Sequence, residues 1–308
     1  MRIAVIGTGG IGGPYGASLA KAGADVTFVA RGAHLAAIRE NGLRIEGDRG
    51  ETHIRPAQAT DDIAGIGTVD IVLCCVKLWD LEVVAEQIRA IIGSQTAVIP
   101  LQNGVDAAQR LTSILGYDAV MGGMAFVTGA IIAPGLIRQT GTYQRMTFGE
   151  LDSHVSERGR RLRDLCEAAG FEGVLSPDIM VPVWEKFILL VPLSGLNALT
   201  RLPLGKWRDD PDLLALYEGA LRETVAVGLA EGVRLRSDIV DKTLAQMRSM
   251  PPHHTTSMGN DLIRGNRLEL PWFAGKVVEL GRKHGLATPI NGFVHAALKL
   301  YANGPPAS

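Results

Sequence analysis

Three glycines near the start of the chain have the spacing of a phosphate-binding turn. Gly7, Gly9 and Gly12 follow the apolar run at residues 3–6. In such a turn the first glycine permits the tight bend, the second lets a pyrophosphate approach the backbone, and the third lets helix and strand pack closely. Free amides at the helix N-terminus and the helix dipole both favour a phosphate there. The pattern predicts a dinucleotide site, and the alternative is an ordinary strand–helix turn.

The corner after the second predicted strand indicates which nucleotide is bound. A site for NAD usually has an acidic residue at the end of this strand, where it holds the ribose 2′-hydroxyl. Here the strand ends in Ala30 and Arg31, and Asp25 lies at its other end. A guanidinium suits a 2′-phosphate because it forms charge-assisted hydrogen bonds. We therefore favour NADP over NAD, with a solvated surface arginine as the alternative.

Two further polar residues follow predicted strands of the same sheet. Lys77 comes after the strand at residues 69–76, and Asn103 comes after the strand at residues 97–100. Ligands of doubly wound sheets bind beyond the carboxyl ends of the strands, so Lys77 is expected near the cofactor unless it is a capping or solvated lysine. Asn103 either caps the next helix, at residues 105–115, or hydrogen-bonds a nicotinamide amide or a substrate carbonyl. These two roles are compatible.

A lysine in an apolar stretch is the main candidate for a catalytic acid. Lys186 is flanked by Trp184 and Phe187, so its environment is poor in water. Such a lysine either packs its stem and extends its ammonium to solvent or serves a chemical purpose, and periodicity alone favours the first. Glu269 is a candidate carboxylate partner, but the sequence alone does not bring the two residues together.

The elements that must position these residues fall into two parts. Residues 1–176 alternate between strands and helices, which predicts an α/β Rossmann domain that binds the nucleotide. Within it we expect two short strands joined by residues 47–50, and antiparallel strands at residues 121–149 that finish the sheet edge. Residues 177–308 show no strand-like alternation, which predicts an all-helical substrate and catalytic domain.

Composition and charge exclude several classes of protein. The net charge of −1 offers no basic face for nucleic acid, and 46% apolar with 20% charged residues is typical of soluble globular enzymes. The longest apolar stretch, residues 187–193, is too short to span a membrane. Adjacent strand residues such as Cys74 and Cys75 point to opposite faces, so we predict reduced thiols and a cytoplasmic location. His253 and His254 lack further ligands at a useful spacing, so we predict no metal site.

Taken together, these features resemble the ketopantoate reductase family, the 2-dehydropantoate 2-reductases, from end to end. The motifs that carry the resemblance are Gly7-x-Gly9-x-x-Gly12, Arg31, Val76-Lys77, Gln102-Asn103-Gly104, Trp184-Glu-Lys-Phe187, Thr256-Ser257-Met258 with Asp261, and Glu269. The resemblance implies NADPH-dependent reduction of a 2-keto acid, with ketopantoate to pantoate, in pantothenate biosynthesis, as the first candidate. It also implies a homodimer.

The resemblance further implies a role for each motif residue. Arg31 holds the 2′-phosphate of NADPH. Lys186 is the general acid that protonates the ketone oxygen as hydride arrives, and Glu269 orients the lysine and the substrate. Ser257 hydrogen-bonds the substrate carboxylate.

The residues predicted for the two binding sites are therefore the following. The cofactor-binding set is Gly7, Thr8, Gly9, Gly10, Ile11, Gly12, Arg31, Lys77 and Asn103. The substrate-binding set is Asn103, Ser194, Asn197, Ser257 and Asp261. Lys77 and Asn103 are expected in the cleft between the two domains.

The segment after Lys186 departs from the family's pattern. Members that make pantoate are expected to have asparagines four and eight residues after the lysine, whereas this chain has Leu190 and Ser194 there, followed by Asn197. A site that recognises a hydroxyl gains discrimination from paired polar groups, so Leu190 weakens the case for ketopantoate. One alternative is a reductase of the same fold that acts on a different ketone or an imine. The other is a non-catalytic NADP-binding sensor, which would need neither Lys186 nor Glu269.

Overall fold

The strands and helices divide between two units of the chain. The computed structural model describes residues 1–306, and the two units are Met1–Pro182 and Val183–Ser308. Within the described residues, every strand belongs to the first unit. An α/β N-terminal part followed by a helical C-terminal part confirms the predicted fold class. The domain boundary after residue 176 stays a prediction.

The structure contains ten strands and eleven α-helices within residues 1–306. The strands are β1 (Arg2–Ile6), β2 (Asp25–Val29), β3 (Leu43–Gly47), β4 (Thr52–Ile54), β5 (Gln58–Thr60), β6 (Val69–Cys74), β7 (Ile92–Pro100), β8 (Met121–Ala133), β9 (Leu136–Glu150) and β10 (Glu172–Leu175). The helices are α1 (Gly12–Lys21), α2 (Gly32–Asn41), α3 (Leu81–Ile88), α4 (Ala107–Leu115), α5 (Glu157–Ala168), α6 (Met180–Thr200), α7 (Pro211–Ala230), α8 (Ile239–Ser249), α9 (Ser257–Ile263), α10 (Ala274–Lys283) and α11 (Pro289–Leu298).

The first sheet is parallel and has the strand order β5-β2-β1-β6-β7. Its central strands are buried because their apolar runs are covered on both faces, as is usual for a parallel sheet. The chain leaves β1 toward β2 and later returns to the other side of β1 at β6. This reversal beside β1 is the point where ligands bind in doubly wound sheets, and the glycine turn begins there at Gly7.

A second sheet in the same unit corrects one prediction. Its order is β10-β9-β3-β4, and β8 pairs antiparallel with β9. The expectation that residues 121–149 finish the edge of the first sheet is therefore wrong. A single bridge, between Val98 and Val120, connects that edge to this region. The pattern identifies strands, but their partners come from distant segments, and β9 pairs with β3.

The helical unit is built around the long helix α6, which contains Pro192. Its core includes Trp207 and Tyr217, whose ring centroids are 6.0 Å apart. Residues 268–284 do not form one continuous helix, because Pro271 lies in a short 3-10 turn, Leu270–Trp272, ahead of α10. That turn gives Glu269 a fixed position at the start of the interruption.

Three global features bear on function. No helix in residues 1–306 is long and apolar enough to cross a membrane. In the same residues, no group of three or more His, Cys, Asp or Glu side chains is arranged to hold a metal ion. Cys74, Cys75 and Cys166 are free thiols.

Candidate functional site

The glycine turn lies directly after β1, and the first and last of the three motif glycines are required by the backbone around them. Gly7 has φ +97°, and a Cβ on it would lie 3.0 Å from the Cys75 carbonyl carbon. A Cβ on Gly12 would lie 2.3 Å from the Gly7 carbonyl oxygen and 2.8 Å from Val5 Cγ1. The first glycine therefore permits the bend and the last one permits close packing of helix on strand, as their spacing predicts.

Gly9 is different, because the protein itself does not require a glycine there. A Cβ on Gly9 would have no atom within 4 Å. The amides of Gly10, Ile11 and Gly12 donate no hydrogen bond within the described residues. An open cradle with unused N–H donors at the start of a helix fits the phosphate oxygens of a nucleotide. The residues present therefore fit a dinucleotide.

Thr8 anchors this turn to the neighbouring strand. Its amide and its hydroxyl both donate to the Val29 carbonyl oxygen, each at 3.0 Å. Its own carbonyl oxygen lies 2.9 Å from Nε2 of His34. His34 is not among the residues predicted from the sequence. Its signal in the sequence is a histidine in the first turn of the helix that follows Arg31.

Arg31 stands at the end of β2 in the position expected for a 2′-phosphate contact. It occupies the N-cap position of α2 with extended backbone, and it is exposed. Its guanidinium forms no hydrogen bond or ion pair with the described residues, whereas nearby Arg39 pairs with Asp61 and Arg44 with Glu51. The side chain is thus available to an external anion.

Lys77 and Asn103 follow β6 and β7, at the same edge as the glycine turn. The Lys77 ammonium lies 5.4 Å from the centroid of the Trp79 ring, a cation–π distance. Asn103 is not a helix cap, because α4 begins later than predicted and its N-cap residue is Asp106. The Asn103 side chain makes no hydrogen bond within residues 1–306 and is partly buried. Its amide is available to a ligand.

Lys186 and Glu269 interact within the helical unit. Trp184 and Phe187 pack edge to face beside the lysine, with ring centroids 5.5 Å apart. Burial lowers the pKa of Lys186 to about 8, while the negative charge of Glu269 acts in the opposite direction. Glu269 itself is buried. By solvent exposure Lys186 as a whole residue is only partly buried, so a chemical role for its ammonium stays a prediction.

Leu190 and Ser194, one and two helical turns beyond Lys186, differ in polarity and in solvent exposure. Leu190 and Ser194 lie on the same side of α6 as the lysine, because they follow it at four-residue steps. Leu190 is partly exposed. Ser194 is fully buried, and its hydroxyl has no hydrogen-bond partner within the described residues.

Asn197 has a structural role that the sequence did not predict. Its Nδ2 donates to the Leu202 carbonyl oxygen at 2.7 Å. Its Oδ1 accepts from the amide of Thr256 at 2.9 Å and from the Thr256 hydroxyl at 2.8 Å. These bonds tie the end of α6 to the start of α9. One amide hydrogen remains, so a substrate contact by Asn197 stays a prediction.

Ser257 and Asp261 both lie on α9. Ser257 is the first residue of the helix and is exposed, and Thr256 caps the helix by accepting from the amide of Gly259 at 3.1 Å. Asp261 lies one turn further on, and its Oδ1 accepts from Asn266 Nδ2 at 3.0 Å. The short helix therefore presents a hydroxyl and a carboxylate on one side.

Comparison with known proteins bears out the family predicted from the motifs. The family model described as ketopantoate reductase PanE/ApbA matches residues 3–153, and the model for its C-terminal part matches residues 178–302. Together they span both units of the chain.

Individual relatives match over almost their whole length. A 2-dehydropantoate 2-reductase of Mesorhizobium japonicum is 32% identical over 323 aligned residues, which cover 98% of each chain. The uncharacterized oxidoreductase YkpB of Bacillus subtilis is 28% identical, covering 98% of this chain and 99% of its own. The crystal structure of a PanE/ApbA family ketopantoate reductase from Ralstonia eutropha superposes with a TM-score of 0.90 at 30% identity, covering 98% of each chain.

These matches identify the chain as an oxidoreductase, and several of the enzymes it matches are named 2-dehydropantoate 2-reductases. The two matched segments contain the glycine turn in one case and Lys186 with Glu269 in the other. The chain belongs to the ketopantoate reductase family.

Proposed function

We propose that this protein catalyses the NADPH-dependent reduction of a 2-oxo acid to the 2-hydroxy acid, with ketopantoate as the first substrate to test. The observation that carries the proposal is the interaction of Lys186 with Glu269 in apolar surroundings. Burial brings the pKa of Lys186 to about 8, close to the pH at which a general acid both gives and regains a proton efficiently.

The proposed contacts to the phosphates use backbone and side-chain groups that form no hydrogen bond within the described residues. The amides of Gly10, Ile11 and Gly12 suit the pyrophosphate, and the exposed guanidinium of Arg31 suits the 2′-phosphate. When bound, the reduced nicotinamide nucleotide supplies the hydride. Lys77 and Asn103 would complete the cofactor site, since both follow strands that end at the same edge of the first sheet.

Lys186 would handle the proton of the reaction. Its ammonium donates a proton to the carbonyl oxygen of the substrate, and its positive charge stabilises the negative charge that develops on that oxygen. The amine left behind takes a proton from water. Glu269 helps to keep the lysine protonated before the reaction, because its negative charge raises the lysine pKa.

Four polar residues are proposed to contact the substrate besides Asn103. The exposed Ser257 would donate its hydroxyl to the carboxylate of the 2-oxo acid, and Asp261 lies one turn along the same helix. Ser194 has a buried hydroxyl without a partner in the described residues, and Asn197 retains one amide hydrogen. Ser257, Ser194 and Asn197 thus have hydrogen-bonding capacity that a substrate can use.

Leu190 favours a second candidate substrate class, a more apolar ketone or an imine. Its partly exposed isobutyl group lies one turn beyond Lys186, where it offers no hydrogen bond to a substrate hydroxyl. The reaction type and the role of Lys186 are the same for both classes. Only the group attached to the carbonyl differs.

A panel of carbonyl compounds tests the proposal. The full chain is incubated with NADPH and, separately, ketopantoate, straight-chain and aryl 2-oxo acids, simple ketones and imines, while NADPH oxidation is followed. Turnover of 2-oxo acids with recovery of the 2-hydroxy acid supports the proposal, and preference for apolar ketones or imines supports the second class. Tight NADPH binding with no turnover on any compound would contradict both and favour a nucleotide sensor.

We also infer a homodimer in the cytoplasm. The family resemblance supports the dimer, and the free thiols of Cys74, Cys75 and Cys166 suit a reducing compartment. Light scattering on the purified chain measures its oligomeric state directly.

A further inference from the structure

His34 connects the glycine turn to the turn between β8 and β9. Its ring is partly buried in the first turn of α2. Nε2 lies 2.9 Å from the carbonyl oxygen of Thr8, and Nδ1 lies 3.0 Å from the amide nitrogen of Gly135. Because an amide N–H only donates and a carbonyl only accepts, the imidazole must be neutral with its proton on Nε2.

Both groups that His34 contacts depend on it. Within the described residues, the Thr8 carbonyl and the Gly135 amide make no other hydrogen bond. An apolar side chain at position 34 would leave an unpaired acceptor and an unpaired donor, which is costly where water is excluded. A neutral imidazole satisfies both, because its ring holds one donor and one acceptor in a rigid arrangement.

The carbonyl of Thr8 belongs to the peptide group that precedes Gly9. On the other side of this planar group, the Gly9 amide donates to the Gly7 carbonyl oxygen at 2.9 Å. His34 and Gly7 therefore hold the peptide plane from opposite edges. Its orientation fixes Gly9, the residue with open space at its Cβ position, and directs the chain into the unpaired amides that follow.

The β8–β9 hairpin, which His34 contacts through Gly135, also packs against the glycine turn. A Cβ on Gly10 would lie only 1.9 Å from the carbonyl oxygen of Gly129 on β8, so the two backbones are in direct contact. Gly135 stands at the β8–β9 turn with φ +75°, and its carbonyl accepts from the Arg44 amide on β3 at 2.9 Å. The β8–β9 hairpin thus packs directly against the glycine turn. His34 links the two through its hydrogen bonds to Thr8 and Gly135.

We propose that His34 is a positioning residue for NADPH. Through its two hydrogen bonds it fixes the Thr8–Gly9 peptide and the β8–β9 turn in the arrangement that leaves the amides of Gly10 and Ile11 open to the pyrophosphate. The proposal rests on nucleotide binding at the glycine turn. It does not depend on the identity of the substrate or on the role of Lys186.

The test measures NADPH affinity by nucleotide fluorescence, in the full chain and without substrate. The variants are His34→Leu and a control, His53→Leu, whose Nε2 likewise lies 2.8 Å from a backbone carbonyl, that of Asn41, which is not part of the glycine turn. We expect His34→Leu to raise the Kd of NADPH about tenfold or more, the effect of losing a buried hydrogen bond. The kcat at saturating NADPH should change much less, and the control should bind NADPH normally. A His34→Leu protein that binds NADPH as tightly as the control overturns the proposal.

Two conservative variants keep the test decisive if His34→Leu does not fold. The amide of glutamine in His34→Gln reaches the position of Nε2 and restores the donor to Thr8, whereas the oxygen of His34→Asn occupies the position of Nδ1 and restores only the acceptor for Gly135. The proposal expects the glutamine variant to bind NADPH at least about threefold tighter than the asparagine variant, because it keeps the bond to the turn. Equal Kd values would overturn it. Because no substrate is present, this result is independent of the proposed reaction.

Discussion

The glycine turn and the Lys186–Glu269 pair are built in opposite ways. The turn uses backbone groups from one short stretch of the first unit, and its key positions are glycines, which have no side chain to block a close approach. The pair uses two side chains that are distant in the sequence and that the fold of the second unit brings together. In the proposed reaction the first arrangement holds a ligand through amides, and the second moves a proton. We therefore expect changes in the turn to alter nucleotide affinity, and changes in the pair to alter the rate.

The largest effect is expected for Lys186→Ala. Removing a general acid should lower kcat by about 10²–10⁴, while the Kd of NADPH stays near that of the unmodified chain. Steady-state kinetics and fluorescence titration measure the two quantities. Lys242→Ala is the matched control, since that lysine forms an exposed ion pair with Glu185. A variant that loses NADPH binding and turnover in parallel would abolish the contrast between the two regions.

Arg31→Ala should weaken binding of NADPH about 10- to 100-fold, as expected for loss of charge-assisted hydrogen bonds. Binding of NADH should change little, because that nucleotide lacks the 2′-phosphate. Titrations with both nucleotides measure the ratio of the two Kd values. An equal loss for NADPH and NADH would show that Arg31 does not read the 2′-phosphate.

Gly9→Ala isolates the open side of the turn. The added methyl group meets no protein atom within 4 Å, so thermal unfolding should be unchanged. It occupies the space that the pyrophosphate needs, so the Kd of NADPH should rise about tenfold, comparable to one lost hydrogen bond. Gly292→Ala is the control, because a Cβ there also meets nothing. Unchanged affinity in Gly9→Ala would mean that the phosphates lie elsewhere.

The smallest effect is expected for Glu269→Gln. The carboxylate raises the pKa of Lys186, so its neutralisation should lower that pKa below about 8. The lysine then loses its proton at a lower pH, and kcat/KM should begin to fall at a correspondingly lower pH. A series of kcat/KM values from pH 6 to 10 reveals the shift. A shift to higher pH, or none, would contradict the assigned interaction.

The same contrast explains what the sequence could predict. The glycine turn, Arg31 and the strand β1 lie in one continuous segment, so spacing and chain order were enough to predict the strand, the turn and the helix that follows. The second sheet was missed because its strands pair over long distances, as β9 does with β3. Alternation of apolar residues identifies a strand but does not name its partner.

The residues around the second site show a similar limit. Periodicity alone favoured a solvated head for Lys186, since Glu269, whose charge acts on the lysine, lies far along the chain. Asn197 was predicted to bind substrate, yet the sequence could not show that Thr256 already occupies its oxygen. His34 was not predicted because its role depends on contacts with two backbone groups, the Thr8 carbonyl and the Gly135 amide, that are far apart in the chain.

The pH dependence of kcat/KM tests the central claim most directly, because this quantity reports the essential groups of the free enzyme. The chain as it stands should lose activity on the alkaline side with an apparent pKa near the value of about 8 assigned to Lys186. The residual activity of Lys186→Ala should show no such decline, because the group that titrates is gone. If both proteins lost activity with the same alkaline pKa, Lys186 would not be the proton donor.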